Sequence, residues 1–343
     1  MAEISVIIPC YNVESYIDRC LTSITSQTID LSLLEIICID DASTDNTWSK
    51  LQAWETTYPE NIMIIHCDEN GRQGTARNIG LQYASAPWIA YIDSDDWIEL
   101  DYFEKLYSIA SKTDCDIVTC QFVRDSSTEL SFLSDRKTNK TDRCMLIDTL
   151  EKRKLFIVLK SMDALAWGKL IRKSLLIDHQ IFFPENLTYE DTYFSSMLHL
   201  YTKKVYFLEE KLYHYFVNEH STVLQTDSDH HLDLLTVQLM LWDEWASRGL
   251  LDSLKEELEY DFLYSFYLRF LKIIVFRYKV PSFSLFALLQ HLICERIPDY
   301  SKNLYIQQIE QPELYKLLFH ALSLSMNRNT FKDFAEQIKI IGF

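Results

Sequence analysis

The sequence predicts an α/β fold: a doubly wound, mixed but mostly parallel sheet flanked by helices, followed by an all-helical C-terminal part. Short apolar runs alternate with amphipathic segments through the first third of the chain, which is the pattern of parallel strands joined by crossover helices. Aspartate-rich stretches follow several of these runs, as expected where strand ends meet at one edge of a sheet. From about residue 230 onward only helical periodicity remains.

Five strands are predicted in the N-terminal part, each from an apolar run bounded by polar or turn-forming residues. They cover residues 4–8, 33–39, 62–66, 88–92 and 116–122. Because these runs are almost entirely apolar, we expect strands that are buried on both faces, as in a parallel sheet.

Helices are predicted between the strands from apolar residues spaced three and four apart. The first follows Ser15, whose hydroxyl can cap it, and the others cover residues 47–57, 76–84 and 102–112. Pro87 separates the third helix from the fourth strand.

The pattern is less regular between residue 123 and the helical part. Two helices are predicted at residues 145–160 and 189–200, and two short strands at residues 205–209 and 212–217. Breaks between the later helices are expected near Gly249, Pro281, Pro298 and Pro312.

Two domains are expected, because 343 residues are many for a single core. We place the boundary between an α/β domain, residues 1–225, and a helical domain, residues 226–343. The chain has only six glycines and no tract rich in proline or serine, so a long flexible linker is not expected.

The composition argues against several classes of function. A net charge of −17 disfavours a general nucleic-acid binder and a protein whose main partner is an anionic membrane surface. The eight cysteines include no CxxC pair and several lie in apolar runs, which predicts reduced, buried thiols in a cytoplasmic protein. Neither a signal peptide nor a transmembrane helix is predicted, because no basic-then-apolar start and no long apolar run is present.

An acidic cluster follows the fourth predicted strand and consists of Asp93, Asp95 and Asp96. Like charges packed together at a strand end are costly without a counter-ion. A Mg²⁺ or Mn²⁺ ion, bound through one or two carboxylates and the phosphate oxygens of a ligand, removes this cost. The sequence therefore predicts a metal that holds a diphosphate here, and an exposed acidic turn is the alternative.

Two stretches further upstream carry candidate ligand-binding groups. Asp41, after the second strand, can accept hydrogen bonds from a base imide or from ribose hydroxyls. The alternative for this stretch is that Asp40, Ser43 or Asp45 simply caps the next helix. In residues 71–78 two glycines allow a close backbone approach, and Arg77 can face a base or a phosphate. A plain surface turn is the alternative for this second stretch.

A third stretch places Glu190 and Asp191 in the first turn of a predicted helix. Acidic residues at this position often do no more than complement the helix dipole. The functional interpretation is that Asp191 acts as a general base and takes a proton from an incoming hydroxyl group.

Taken in order, these stretches resemble the inverting family 2 glycosyltransferases, which have the GT-A fold. The matching stretches are SVIIPCYN at 5–12, DDASTDNT at 40–47, ARNIG at 76–80, DSDD at 93–96 and ED at 190–191. Two later stretches, AWGKLIR at 166–172 and LYHYFVNEHS at 212–221, resemble one bacterial polysaccharide-synthesis branch of this family. The resemblance covers about residues 3–222, and its specificity lies in the shared order and spacing of motifs that are each short.

The resemblance implies a role for each matching residue. Asp191 would be the general base, and Trp167 and Glu190 would contact the acceptor. The residues that would bind the nucleotide-sugar donor are Pro9, Tyr11, Asn12, Asp41, Arg77, Asn78, Asp93, Ser94 and Asp95. The residues that would bind Mn²⁺ or Mg²⁺ are Asp93, Asp95, Asp96 and His220.

These roles imply metal-dependent transfer of a sugar from a nucleoside-diphosphate sugar, most commonly a UDP-sugar in this family, to a hydroxyl of a glycan or lipid-linked acceptor. They also imply a bacterial enzyme of polysaccharide or cell-envelope synthesis, cytoplasmic or peripheral at the inner face of the membrane. The helical domain would contact the acceptor, a partner protein or a second copy of the chain. The alternatives are a nucleotide-sugar-binding protein without activity and a sugar-nucleotide pyrophosphorylase.

The sequence departs from the family pattern at two places. Ala42 stands where a glycine is usual, a change that we expect to be tolerated if φ is negative there. Phe216 and Val217 stand where relatives are often basic, so the diphosphate charge would depend more on the metal and on Arg77.

Overall fold

The computed structural model describes residues 1–217, 225–308 and 313–342. The chain divides into two compact units. The first consists of residues 1–153 and 162–218, and the second of residues 154–161 and 219–343. Residues 154–161, which lie inside the first predicted domain, therefore group with the helical unit.

A single sheet of nine strands forms the centre of the first unit within the described residues. The strands are β1 Ile4–Cys10, β2 Leu34–Asp40, β3 Ile62–His66, β4 Trp88–Tyr91, β5 Trp97–Ile98, β6 Ile117–Asp125, β7 Arg143–Leu146, β8 Lys169–Arg172 and β9 Lys204–Phe216. Their order is β3-β2-β1-β4-β8-β6-β9-β5, and β7 pairs with β9. β1 to β4 pair in parallel, as does β6 with β9, whereas β5, β7 and β8 pair antiparallel to their neighbours. This mixed sheet confirms the predicted fold class.

Helices flank the sheet. They are α1 Ile17–Thr25, α2 Thr47–Thr57, α3 Arg72–Tyr83, α4 Tyr102–Thr113, α5 Leu150–Val158, α6 Lys173–Asp178 and α7 Glu190–Tyr201. All seven residues of β1 are buried, as predicted for a strand covered on both faces. α3 approaches β1 very closely, since a Cβ atom on Gly80 would lie 2.4 Å from Cγ2 of Ile7. Only glycine permits this packing.

Two predicted helix starts are wrong. Ser15 does not cap α1, which begins at Ile17 without a side-chain cap; instead the carbonyl of Val13 accepts the N–H groups of Tyr16 and Ile17. α3 begins at Arg72, four residues before the predicted start, because a carboxylate from a distant loop accepts an N–H group at its beginning.

Two predictions between residues 143 and 217 also need correction. Met145 and Leu146, which were predicted to begin a helix, instead end strand β7, because residues 143–146 pair with β9. The two short strands predicted at 205–217 are one strand, β9. The predicted interruption is a β-bulge, where Cys120 of β6 pairs with Leu208 and the next residue pairs with Lys211.

The second unit is helical throughout its described residues, as predicted. After the last residues of α5, its helices are α8 Asp233–Ser247, α9 Leu250–Ser253, α10 Lys255–Phe262, α11 Arg269–Phe276, α12 Phe283–Arg296, α13 Leu304–Gln307, α14 Glu313–Ala321 and α15 Arg328–Ile341. A π-helical turn, Leu263–Leu268, connects α10 to α11. None of these described helices combines the length and apolar character that crossing a bilayer requires.

Helix ends in this unit follow the predicted breaks. Gly249, with φ of +67°, separates α8 from α9, and the prolines at 281 and 298 lie just before α12 and just after it. Pro312 lies outside the described residues. Lys154 and Lys160 explain why residues 154–161 belong here, because they pair with Glu257 at 3.4 Å and Asp261 at 2.7 Å.

The turn after β2 contains a strained residue. Ala42 has φ of +59°, in the left-handed region, so the condition under which we expected alanine to be tolerated is not met. A left-handed conformation costs a residue with a Cβ atom about 1–2 kcal/mol, whereas glycine adopts it without that cost.

We therefore expect Ala42→Gly to stabilise the protein, raising the free energy of unfolding by up to about 1 kcal/mol after the larger backbone entropy of unfolded glycine is subtracted. Ala53, exposed in the middle of α2, provides the matched control. Ala53→Gly should lower the free energy of unfolding by about 1 kcal/mol. Urea unfolding followed by tryptophan fluorescence measures both variants, and equal destabilisation of the two would contradict the assignment of strain.

Candidate active site

The loops that follow β1, β2 and β4 bring the candidate residues together at one edge of the sheet. Asn12 connects the first two loops, because its Oδ1 accepts the N–H of Thr44 at 2.8 Å and its own N–H donates to Oγ of Ser43 at 3.0 Å. Tyr11 is 47% exposed, whereas Pro9 is buried within β1. Of these three predicted donor contacts, Tyr11 and Asn12 are exposed at the edge, and Asn12 is in addition bound to the loop after β2.

The side chain of Asp41, in the loop after β2, lies at the beginning of α3. Its Oδ1 accepts the N–H of Gly71 at 2.8 Å, and burial raises the pKa of this carboxyl group above its usual value. The capping alternative holds for Asp45 as well, whose Oδ1 accepts the N–H of Thr47 at the start of α2. Asp41 therefore fixes the start of α3, the helix that carries Arg77 and Asn78.

Arg77 is buried on α3 and connects two acidic motifs. Its Nη1 donates to Oε1 of Glu190 at 2.6 Å and its Nη2 to Oδ1 of Asp93 at 2.7 Å. Burial alone would lower the pKa of Arg77, but the two carboxylates more than offset burial and raise it. The sequence led us to expect Arg77 against a base or a phosphate. The structure places it behind the site instead, because both of its terminal nitrogens are bound to carboxylates.

Asn78, the neighbour of Arg77, also differs from its predicted role. Its side-chain amide donates to the carbonyl of Phe183 at 2.8 Å and accepts the N–H of the same residue at 2.9 Å. A Cβ atom on Gly74 would lie 2.4 Å from the carbonyl oxygen of Pro184. The glycine that we expected to admit a ligand thus admits the segment before α7, which carries Glu190 to Arg77.

The acidic cluster divides into partly exposed and buried members. Asp93 and Asp95 are partly exposed, while Asp96 is fully buried. Oδ2 of Asp96 accepts a hydrogen bond from the hydroxyl of Tyr213 at 2.6 Å, and its Oδ1 accepts one from the N–H of Phe216 at 2.7 Å. Both oxygens of Asp96 therefore serve the protein, which sets it apart from the two carboxylates proposed with it as metal ligands.

Burial raises the pKa of two of the three carboxyl groups in this cluster. It raises the pKa of Asp95 to about 6, with a further contribution from the charge of Asp93, and it raises the pKa of Asp96 well above its usual range. Ser94, between them, is buried. A cation bound to Asp95 would favour its ionised form and so oppose the effect of burial.

Trp167 lies in a stack of aromatic rings. It is parallel to Tyr213 at 4.3 Å and to Tyr215 at 5.5 Å between ring centroids, and Phe122 meets it edge-on. Only 6% of Trp167 is exposed, so the predicted acceptor contact falls on a side chain that is mainly packed. Tyr213, whose hydroxyl donates to Asp96, was not among the predicted site residues, although it lies within the recognised stretch 212–221.

Asp191 occupies the second position of α7 and is partly exposed, next to the buried Glu190. The residue before this helix, Tyr189, has φ of +68°, a strained conformation for a bulky side chain. Such strain is typical of sites where surrounding structure fixes a functional geometry.

The predicted metal ligand His220 lies outside the described residues. Among the residues that the structure describes, no group of three or more His, Cys, Asp or Glu side chains is arranged to hold a metal ion. Asp93 and Asp95 offer carboxylate oxygens, which suit Mg²⁺ or Mn²⁺, but two carboxylates cannot enclose such an ion. The described residues therefore fit only a cation whose other ligands come from phosphate or water.

Known proteins with similar sequences are glycosyltransferases. The putative glycosyltransferase EpsH of Bacillus subtilis is 32% identical over 64% of this chain and 62% of its own length. Glycosyltransferase GlyA of Streptococcus pneumoniae is 32% identical over 64% of this chain and 31% of its own length. The chain thus matches less than two thirds of the length of either relative.

Solved structures share the fold. Staphylococcus aureus TarS 1–349 in complex with UDP-GlcNAc superposes with a TM-score of 0.67 at 19% identity, covering 94% of this chain and 87% of that one. A mannosyltransferase from Pyrobaculum calidifontis in complex with GDP-Man and Mn²⁺ gives a TM-score of 0.51 at 15% identity, covering 97% and 84%. The family model described as glycosyl transferase family 2 matches residues 5–179, just over half of the 343 residues. The chain therefore belongs to glycosyl transferase family 2.

Proposed function

We propose that this chain is an inverting glycosyltransferase that moves a sugar from a nucleoside-diphosphate sugar, most simply a UDP-sugar, to a hydroxyl of a glycan or lipid-linked acceptor. The observation that carries the proposal is the bridge through Arg77. One buried guanidinium fixes Asp93, at the strand end, and Glu190, in the first turn of the helix that carries Asp191. A carboxylate for the donor and a carboxylate for the acceptor are thereby held in one rigid arrangement, as catalysis by positioning requires.

Asp93 and Asp95 would hold the donor through Mn²⁺ or Mg²⁺. Their carboxylates are partly exposed at the sheet edge, and one or two carboxylates together with substrate phosphates are the usual protein-side ligands of Mg²⁺. When bound, the ion would offset the negative charge that grows on the departing nucleoside diphosphate. We leave Asp96 out of this set because both of its oxygens already accept hydrogen bonds. Relatives of this fold are known with UDP-GlcNAc and with GDP-Man and Mn²⁺.

Asp191 would act as the general base. Glu190 is committed to Arg77, so Asp191 is the member of this acidic pair whose partly exposed carboxylate can meet an acceptor hydroxyl. Asp191 takes the proton as the acceptor oxygen forms its bond to the anomeric carbon from the face opposite the leaving group. The bond from that carbon to the diphosphate oxygen breaks and its electron pair leaves with the nucleoside diphosphate. Configuration inverts in this single displacement.

For the acceptor molecule and the cellular location we propose a class and not a specific compound or compartment. One relative of this chain is named poly(ribitol-phosphate) beta-glucosyltransferase, from Bacillus spizizenii, at 30% identity over 64% of this chain. A polyol-phosphate polymer therefore belongs in an acceptor screen beside ordinary glycans. The predicted cytoplasmic location, the peripheral membrane contact and the role of the helical unit stay predictions. A nucleotide-sugar-binding protein without activity is the alternative, and the variants below distinguish the two.

Replacing the proposed base should separate binding from turnover. Asp191→Asn is expected to lower the rate of sugar transfer about 10²–10⁴-fold while donor binding is retained, because positioned acid–base catalysis contributes about that much. Asp178→Asn, an exposed carboxylate on α6, is the matched control and should leave the rate unchanged. Transfer is measured as nucleoside diphosphate released in the presence of acceptor. Near wild-type transfer to a sugar acceptor by Asp191→Asn would refute the assignment.

Removing the metal should abolish transfer. Treatment with a chelator is expected to stop nucleoside diphosphate release, and added Mn²⁺ or Mg²⁺ should restore it. Asp95→Asn should raise the Mn²⁺ concentration needed for half-maximal rate about 10- to 100-fold. Asp96→Asn should instead lower the thermal midpoint, because it disturbs two buried hydrogen bonds. Full activity after chelation would show that the donor is held without a metal. A wild-type Mn²⁺ response in Asp95→Asn would show that Asp95 is not a metal ligand.

Breaking the bridge through Arg77 should cost both stability and activity. Glu190→Gln removes one charge from a buried ion pair, and such changes lower the free energy of unfolding by about 3–5 kcal/mol. Asp114→Asn is the control, since Asp114 pairs with Arg172 at 2.7 Å while its side chain is 92% exposed. That pair should contribute no more than about 1 kcal/mol. Chemical denaturation measures both, and similar costs for the two variants would show that the buried bridge has no special weight.

A further inference from the structure

Arg19 is a buried arginine on α1 that points toward the acidic cluster. Only 9% of it is exposed. Its Nη2 donates to the backbone carbonyl of Asp95 at 2.7 Å, and its Nη1 donates to the carbonyl of Ser127, in the loop after β6. One planar side chain therefore connects α1, the acidic loop and the loop that follows β6.

Two aromatic rings hold the guanidinium of Arg19 in place. Its central carbon lies 4.0 Å from the centroid of the Trp97 ring and 4.6 Å from that of Phe216. Trp97 directly follows Asp96, and the N–H of Phe216 donates to Asp96. Trp97 is itself fixed, since its Nε1 donates to the carbonyl of Ser131 at 2.8 Å. The stacking and the hydrogen bonds together leave the guanidinium little freedom.

We propose that Arg19 is a positioning residue for donor and metal binding: it fixes the backbone of Asp95 so that the carboxylate of Asp95 faces the donor. This inference rests on the proposed function. The hydrogen bond from Arg19 fixes the peptide plane that follows the Cα atom of Asp95, and rotation of that plane would move the Asp95 side chain. Outer groups that orient a metal ligand in this way typically contribute about 10- to 100-fold to metal affinity.

The charge of Arg19 supports the same role. Arg77 lies against Asp93, and Arg19 lies near Asp95 and Asp96. Burial lowers the pKa of Arg19, and the negative charges of Asp95 and Asp96 oppose that shift. The acidic loop thus has one buried guanidinium on each side. The ring of Phe216 packs on Arg19 and closes the side of the guanidinium that faces β9.

The chain offers a matched control in Arg172. It also packs on a tryptophan, with its guanidinium carbon 4.7 Å from the Trp88 ring centroid, and it donates to a backbone carbonyl, that of Cys115 at 2.9 Å. Trp88 is the first residue of β4, so this arrangement lies at the opposite end of the strand from the acidic cluster. A purely structural role for Arg19 predicts that Arg19→Lys and Arg172→Lys behave alike.

The test is binding of UDP, and separately of GDP, to the full chain by calorimetry at a series of Mn²⁺ concentrations, with the thermal midpoint of each variant measured alongside. Arg19→Lys keeps the charge but cannot donate to both carbonyls in one plane. It should raise the Mn²⁺ concentration required for nucleotide binding about 10- to 100-fold. Arg172→Lys should bind as the wild type does. Arg19→Gln, without the charge, serves as a second variant and should be weaker still.

Two outcomes would contradict the proposal in different ways. Wild-type Mn²⁺ dependence in Arg19→Lys and Arg19→Gln, or equal weakening in Arg172→Lys, would overturn the role of Arg19 while the donor site stands. Absence of Mn²⁺-dependent binding of either nucleotide to the wild-type chain would overturn the proposed metal-bound donor, and the inference with it. An Arg19 variant that does not fold leaves the other Arg19 variant to decide.

Discussion

The buried guanidinium of Arg77 is the constraint on which the candidate site depends. Asp93 and Glu190 come from motifs far apart in the sequence, and each would be costly to bury without a cation beside it. By pairing with both, Arg77 converts two unfavourable burials into one fixed geometry. Two glycines of α3 allow the close packing that this contact requires. Gly80 lets the helix press on β1, and Gly74 lets the segment before α7 press on the helix.

Charge compensation within the protein changes the physical argument for a metal. Repulsion among Asp93, Asp95 and Asp96 suggests at first that a cation must be present for the strand end to fold. The structure supplies two buried guanidiniums, Arg77 and Arg19, and two neutral donors to Asp96. The loop can therefore fold before any ligand arrives. A metal is expected instead at the partly exposed carboxylates of Asp93 and Asp95, which no other metal-binding side chain among the described residues encloses.

Local signals predicted the strands well and the site contacts less well, for a physical reason. A strand buried on both faces is apolar along most of its length, so β2 and β4 could be placed within about a residue of their bounds. The start of α3 could not, because Asp41 caps it from thirty positions away. For the same reason Arg77 and Asn78 were expected to bind ligand. A motif shows which side chains gather, but the side chain that turns inward is decided by residues elsewhere, here Glu190 and Phe183.

Arg19 shows a second kind of contact that the sequence could not predict. A charged residue in an amphipathic helix ordinarily points to solvent. Asp18, the neighbour of Arg19, does so and pairs with the partly exposed side chain of Lys50. Nothing local distinguishes the two, and only the rings of Trp97 and Phe216 make the inward position favourable.

Glu190 and Asp191 likewise differ because of residues far away in the sequence. The two carboxylates are adjacent in the first turn of α7, where the helix dipole favours the ionised form of both. Glu190 is buried against Arg77. Burial raises the pKa of its carboxyl group, although the guanidinium of Arg77 opposes that shift. Asp191 keeps a partly exposed position beside it. Two like groups in one turn thus have different surroundings: Glu190 is held by Arg77, and Asp191 is the residue that we propose as the general base.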